Sequence, residues 1–155
     1  MDILTPKKIE FYCEFLAKHL LDDKNWQPLV RSKEWYGKVP NAAGIYAILE
    51  SGNIVYIGET ACLRARTRDL LSTYNHTFRR KFGVERFAGE EGFILATSRK
   101  KFPVHIEDMI DESYKNLLRI SYMPVAFGRK EVETMLISKF QPAYNQSFKR
   151  GKVKD

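Results

Sequence analysis

The sequence predicts an α/β domain: a small central sheet of three main strands, largely antiparallel, flanked by helices on both sides. Three observations carry this. Gly44-Ile45-Tyr46-Ala47-Ile48-Leu49 and Ile54-Val55-Tyr56-Ile57-Gly58 are apolar runs rich in β-branched and aromatic residues, separated by the polar stretch Glu50-Ser51-Gly52-Asn53. That is the pattern of strand, turn and strand. Gly44, Gly52 and Gly58 punctuate the pair at its start, middle and end, which argues against a buried helix. Leu118-Arg119-Ile120-Ser121-Tyr122-Met123-Pro124-Val125 alternates as a third strand does, and the segments around these runs carry apolar residues at helical spacing.

Ile9, Tyr12, Cys13, Leu16, Ala17 and Leu20 recur at i, i+3, i+4, i+7, i+8 and i+11. Residues 7–21 are therefore expected to form an amphipathic helix covering one face of the core, with Phe11 and Phe15 on its opposite side. Residues 22–43 read as an irregular connection, with Trp26 and Trp35 as core or hinge anchors.

The loop of the hairpin decides where its tyrosines point. A three-residue loop, Glu50-Ser51-Gly52 with Gly52 left-handed, makes Leu49 face Asn53, Tyr46 face Tyr56 and Gly44 face Gly58. The two phenols then lie side by side on one face. A two-residue Ser51-Gly52 turn shifts the register by one and separates them. The three-residue loop is the expectation.

A helix over about 62–74 should follow, its buried stripe formed by Leu63, Thr67, Leu70, Leu71 and Tyr74. At about 100° per residue, Arg64 and Arg68 share one outer side, while Arg66 lies on the opposite flank, edge-buried against the sheet. Asn75 is the expected N-cap of a short helix containing His76, Phe78, Arg79, Arg80 and Lys81. Phe93-Ile94-Leu95-Ala96-Thr97 reads as a strand, and Arg99-Lys100-Lys101 as an exposed basic turn. Residues 104–117 form a helix with Glu107, Asp108, Asp111 and Glu112 toward its start and Lys115 near its end, as the macrodipole favours. Gly128 precedes a helix over 129–140, which Pro142 ends. His19 and His105 are expected at the surface.

The 155 residues make one domain, large enough to bury a core without disulfides. Within it, 1–41 is an N-terminal helical extension, 42–146 the core and 147–155 a basic tail. Cys13 and Cys62 have no metal-ligand spacing and read as reduced thiols. No apolar run is long enough to span a bilayer and the N-terminus has no signal pattern, so the expected location is the cytoplasm, away from membranes. A net charge of +7 and a pI of about 9.4 point to a polyanionic partner, nucleic acid foremost. The basic residues expected to meet it are Arg64, Arg68, Arg79, Arg80, Lys81 and Lys100.

The helix at 129–140 raises the sharpest question. Leu136, Ile137 and Phe140 form its apolar face and Glu133 stands in the middle of that face, with Glu131 opposite. A carboxylate aimed at a core is expensive unless a cation or donors meet it. It either pairs with a buried arginine or holds a divalent metal.

Gly44-Ile45-Tyr46, followed by Tyr56-Ile57-Gly58 with ten residues from tyrosine to tyrosine, resembles the signature of the GIY-YIG nuclease family. Arg66, in Leu63-Arg64-Ala65-Arg66, matches the family's catalytic arginine ten residues after the second tyrosine. Glu133 and Pro142-Ala143-Tyr144-Asn145 match its glutamate and the asparagine twelve residues beyond. Either tripeptide alone is a weak signal; together these positions are a strong one, and they span about residues 42–146. The resemblance implies an endonuclease that hydrolyses phosphodiester bonds, in DNA foremost. Glu133 would hold one Mg²⁺ or Mn²⁺, Arg66 would donate to a phosphate oxygen, and Tyr46 would be the general base or position the water. Tyr56 would orient the phosphate or assist Tyr46, and Asn145 would orient its neighbours. Two positions depart from the family. Leu70 stands where several members have histidine or tyrosine, leaving Tyr74 or His76 to supply a polar group, and Glu59 stands where many have lysine. Glu59 could be a second carboxylate near the metal. Specificity would come from within the chain, a second subunit or a partner protein. The alternatives are a nucleic-acid-binding module of the same fold without cleavage, and a protein-interaction domain whose tyrosines are only core.

Overall fold

The computed structural model describes residues 5–145. The basic tail at 147–155 lies outside them. The chain runs α1 (Pro6–Leu20), a 3-10 turn (Asp23–Asn25), β1 (Gln27–Pro28), α2 (Lys33–Lys38), β2 (Gly44–Glu50), β3 (Asn53–Thr60), α3 (Leu63–Leu70), α4 (Thr77–Phe87), α5 (Val104–Leu117), β4 (Leu118–Pro124) and α6 (Arg129–Phe140). The sheet is antiparallel throughout, in the order β1-β4-β2-β3. It has four strands rather than the expected three. The additional one is the pair Gln27–Pro28 against Ile120 and Arg119, too short to leave a periodic signal and tolerable with proline because it is an edge. Among the described residues no helix is long and apolar enough to cross a membrane.

Helices cover both faces of the sheet. Tyr46, Ile48, Leu118 and Ile120 pack with Leu63 and Leu70 of α3, Phe78 and Phe82 of α4, and Ile106, Ile110 and Tyr114 of α5. On the other face Ile45, Ala47 and Ile57 meet Cys13, Leu16 and Leu20 of α1 and Val132 and Leu136 of α6. Phe11 and Phe15 are exposed, as their side of α1 requires.

The hairpin departs from the expected loop in an instructive way. Its turn is the two-residue one: Ser51 and Gly52 both have positive φ, and Glu50 pairs with Asn53. A register shift then falls between Ile48 and Leu49, so that Leu49 pairs with Ile54, Ile48 with Tyr56, Tyr46 with Gly58 and Gly44 with Thr60. The residue expected in the loop is inserted as a bulge at Val55 instead. Parity is thereby restored. Tyr46 and Tyr56 share a face, as diagonal neighbours with ring centroids 6.0 Å apart. Gly58, directly across from Tyr46, is bare because the phenol lies on it: a Cβ there would sit 2.4 Å from the Tyr46 Oη. Gly44 has the same kind of reason, since its Cβ would meet the Met123 carbonyl oxygen at 2.3 Å and Leu63 Cδ1 at 2.6 Å.

Three helical or strand expectations change. The α3 helix ends at Leu70, and Tyr74 lies outward rather than on a buried stripe, 41% exposed with the Lys101 ammonium 5.3 Å from its ring. His76, not Asn75, caps α4: its Nδ1 accepts from the Phe78 N–H at 3.0 Å. Residues 93–97 form no strand; Ile94 and Leu95 face solvent, and Thr97 pairs only with Lys100 across the basic turn. The alternation there is too short to be recruited into the sheet.

Candidate active site

Five of the six sequence-predicted site residues come together beside the hairpin. Tyr46 on β2 is 1% exposed, and Tyr56 on β3 is half-buried next to it. Arg66 is half-buried on the α3 flank that faces them, as its helical position requires. His76 sits 5.7 Å from Tyr56, ring centre to ring centre, edge on. Glu133 reaches the same place from α6, which packs against β3, the edge strand of the sheet. Its charge acts on both tyrosines, and the Arg66 charge acts on Tyr46, Tyr56, His76 and Glu133 alike. Asn145 does a different task. Its Oδ1 accepts from the Ile57 N–H and its Nδ2 donates to the Ile57 carbonyl, both at 2.9 Å, which fixes the backbone between Tyr56 and Gly58.

Two charged side chains in this cluster lack the ion-pair partner that half-burial calls for. Among the described residues, Arg66 makes no hydrogen bond or ion pair, and Glu133 makes no ion pair, although its carboxylate accepts from the Glu59 backbone N–H. Of the two sequence readings of Glu133, the interior ion pair is thus not what α6 builds. Val132 and Leu136 are the buried residues of that helix; Glu133 borders the core rather than centring on it, and Phe140 is partly exposed. Desolvation pushes the Glu133 carboxyl up from the ordinary carboxylate range, and the nearby Glu59 charge adds to this. The Glu59 backbone, Lys130 and Arg66 oppose it. Glu59 itself is engaged by the Arg129 Nε at 3.1 Å. Among the described residues no group of three or more His, Cys, Asp or Glu is gathered as a cage. One carboxylate suits a hard cation that keeps most of its water and takes remaining oxygens from a phosphate, so the donor set fits Mg²⁺ or Mn²⁺ at Glu133.

The phenols are not equivalent. Burial drives Tyr46 well above the ordinary phenol pKa, which Arg66 only partly offsets. Tyr56 is raised too, by burial first and also by the Glu133 charge, while its contact with Tyr46 and the Arg66 charge lower it. Both phenols are therefore protonated at ordinary pH, Tyr46 the more firmly. His76 is held neutral as well: desolvation first, then Arg66 and Arg80, bring it down to about 4. With Nδ1 accepting from the backbone, the ring proton stands on Nε2, which has no hydrogen-bond partner among the described residues.

The expected nucleic-acid residues divide. Arg79 is wholly buried, paired with Glu107 at 2.7 Å and Asp111 at 2.8 Å and bonded to Thr73 Oγ1 at 3.0 Å. It is an interior strut, and the acids that the macrodipole explained are its partners. Breaking such a pair costs about 3–5 kcal/mol. Arg80 donates to the Thr73 and Tyr74 carbonyls at 2.8 and 3.0 Å, clamping the 71–76 turn that carries His76. Arg64 holds the Val39 carbonyl at 2.9 Å. Arg68 and Lys100 are exposed, and Lys81 is half-buried. His19 and His105 are exposed, as expected. The Arg79 network and the turn it braces were not visible in the sequence, because pairs this far apart leave no local pattern.

Among solved structures, the chain is similar to the GIY-YIG N-terminal endonuclease domain of UvrC from Thermotoga maritima. A Tyr-to-Phe point mutant of that domain, bound to its catalytic divalent cation, aligns at 19% identity and a TM-score of 0.39, over 72% of this chain and 91% of that one. The same domain bound to magnesium aligns at 18% identity and a TM-score of 0.38, over 72% and 92%. No family model matches the chain, and no curated protein does.

Proposed function

We propose that the chain is a metal-dependent endonuclease that hydrolyses phosphodiester bonds, in DNA foremost. The observation that carries this is the meeting, among the described residues, of an unpartnered, half-buried guanidinium with a carboxylate that no cation pairs, two adjacent phenols and a neutral imidazole. A phosphodiester supplies what each lacks. Arg66 donates its planar fork to phosphate oxygens, a fixed charge where negative charge grows. Glu133 holds Mg²⁺ or Mn²⁺, which when bound stabilises phosphate charge and the departing 3′ oxygen. Tyr46 packs beside Tyr56 and supports its hydroxyl, and Tyr56, the less buried of the two, positions the attacking water. His76 offers Nε2–H to a phosphate oxygen without carrying charge, and Asn145 keeps the Tyr56 backbone in register. Specificity comes from the protein's own surface, a second subunit or a partner protein.

A plasmid-nicking assay with Mg²⁺ and Mn²⁺, run beside Glu133→Ala and Arg66→Ala, tests this. Cleavage that both substitutions abolish supports the enzyme. Binding without cleavage in either metal makes the chain a nucleic-acid-binding module, and full activity in Glu133→Ala removes the metal assignment.

A further inference from the structure

The outer side of α3, turned away from Arg66, borders a second feature. Lys33, Tyr36 and Gly37 of α2 and Arg64 and Arg68 of α3 line an open cleft of about 510 Å³ that contains three cations and no acid. It is pre-shaped. The Arg64 Nε is fixed on the Val39 carbonyl, and the Arg68 guanidinium lies 5.6 Å from the centre of the Tyr36 ring. Burial keeps the Tyr36 phenol protonated as a donor, and its hydroxyl has no hydrogen-bond partner among the described residues. Lys33 likewise has no ion-pair partner there, although Glu34 and Lys38 beside it pair with each other. Cations gathered without acids repel one another, and an anion relieves that repulsion.

We infer that this cleft is a second phosphate-binding subsite, which holds the backbone of the same nucleic-acid strand away from the scissile bond. The inference rests on the endonuclease reading for the identity of the strand. The α3 helix separates the two sites. Arg64 and Arg68 stand on one side and Arg66 on the other, so the anions they hold are about 10 Å apart across the helix. At about 3.4 Å per nucleotide along one strand, that is about three nucleotides. The cleft contacts backbone, so it adds affinity and a direction of threading, not base preference.

The test measures binding of a fluorescently labelled DNA duplex in EDTA between about 50 and about 200 mM salt, with wild-type cleavage assayed in parallel. The double variant Lys33→Ala/Arg68→Ala removes two exposed cations without touching the Val39 bond. Its log–log salt slope is expected to be shallower by about 1.8, at about 0.9 per phosphate contact. Lys18→Ala, an exposed cation on α1, serves as the control and leaves the slope as it was. An unchanged slope in the double variant overturns the subsite even if wild type cleaves. A reduced slope with no cleavage by wild type keeps the subsite and removes the hydrolytic reading. Absence of any binding by wild type overturns both.

Discussion

Replacing Gly58 by alanine tests the hairpin register directly. The added Cβ would lie 2.4 Å from the Tyr46 Oη and 2.5 Å from Cζ, whereas carbon contacts settle near 3.5–4.0 Å. The ring must retreat by about 1 Å, and Tyr46 is 1% exposed within a packed core that has little void to receive it. Overpacking of this kind costs about 1–3 kcal/mol. Loss of glycine's freedom in the unfolded chain returns about 0.4–1 kcal/mol, leaving a net destabilisation of about 1–2 kcal/mol. For a chain this long that lowers Tm by about 2–8 °C. Urea unfolding of Gly58→Ala alone and on a Tyr46→Leu background forms a double-mutant cycle. With the ring gone, the alanine should cost less than about 0.5 kcal/mol. Equal losses in both backgrounds would refute the pairing of Tyr46 with Gly58, and with it the bulge that puts the tyrosines on one face.

His76, with its pKa brought down to about 4 against an ordinary 6.5, is neutral in both folded and unfolded states at pH 7. As pH falls below 6.5 the unfolded state gains a proton that the folded state refuses, so stability drops by about 3 kcal/mol by the time the pH passes 4. Urea midpoints of wild type and His76→Asn, which retains a capping side chain, should diverge over that window; parallel curves would sink the assignment. If the hydroxyl of Tyr46 serves that of Tyr56, single-turnover cleavage falls about 10²–10⁴-fold in Tyr56→Phe and clearly less in Tyr46→Phe. The reverse order would make Tyr46 the phenol that positions the water. Asn145→Ala strips both groups of Ile57 of their partner and should cost about 1–3 kcal/mol, with faster hydrogen exchange at the Ile57 amide than at Ala47 as the local readout.

Much of the site was legible because its residues sit on strong local patterns. Arg66 could be placed on the inward flank of α3 from helical angle alone, and α5 and α6 begin and end where their caps and periodicity put them. Glu133 stood out because a charge beside Leu136 and Ile137 needs a reason. The hairpin shows the limit. A residue inserted in the loop and one inserted as a bulge at Val55 preserve the same alternation, so the shared face of the tyrosines was readable while their pairing was not. Arg79 shows another limit: beside Arg80 and Lys81 it reads as one more surface cation, and only the approach of α5 turns it inward. The depth of burial at Tyr46, which raises its pKa further than that of Tyr56, was equally invisible. The strand Gln27–Pro28 and the cleft at Tyr36 exist only because distant segments meet.

The clasp that Asn145 places on Ile57 has a bearing on solubility. An amide side chain there imitates a peptide unit, so the outer rim of the hairpin offers fewer free donors and acceptors to a strand from a neighbouring molecule. At the opposite margin Pro28 has no N–H to offer. A sheet blunted at both margins can keep an aromatic, strongly β-forming hairpin in a crowded solution without recruiting copies of itself.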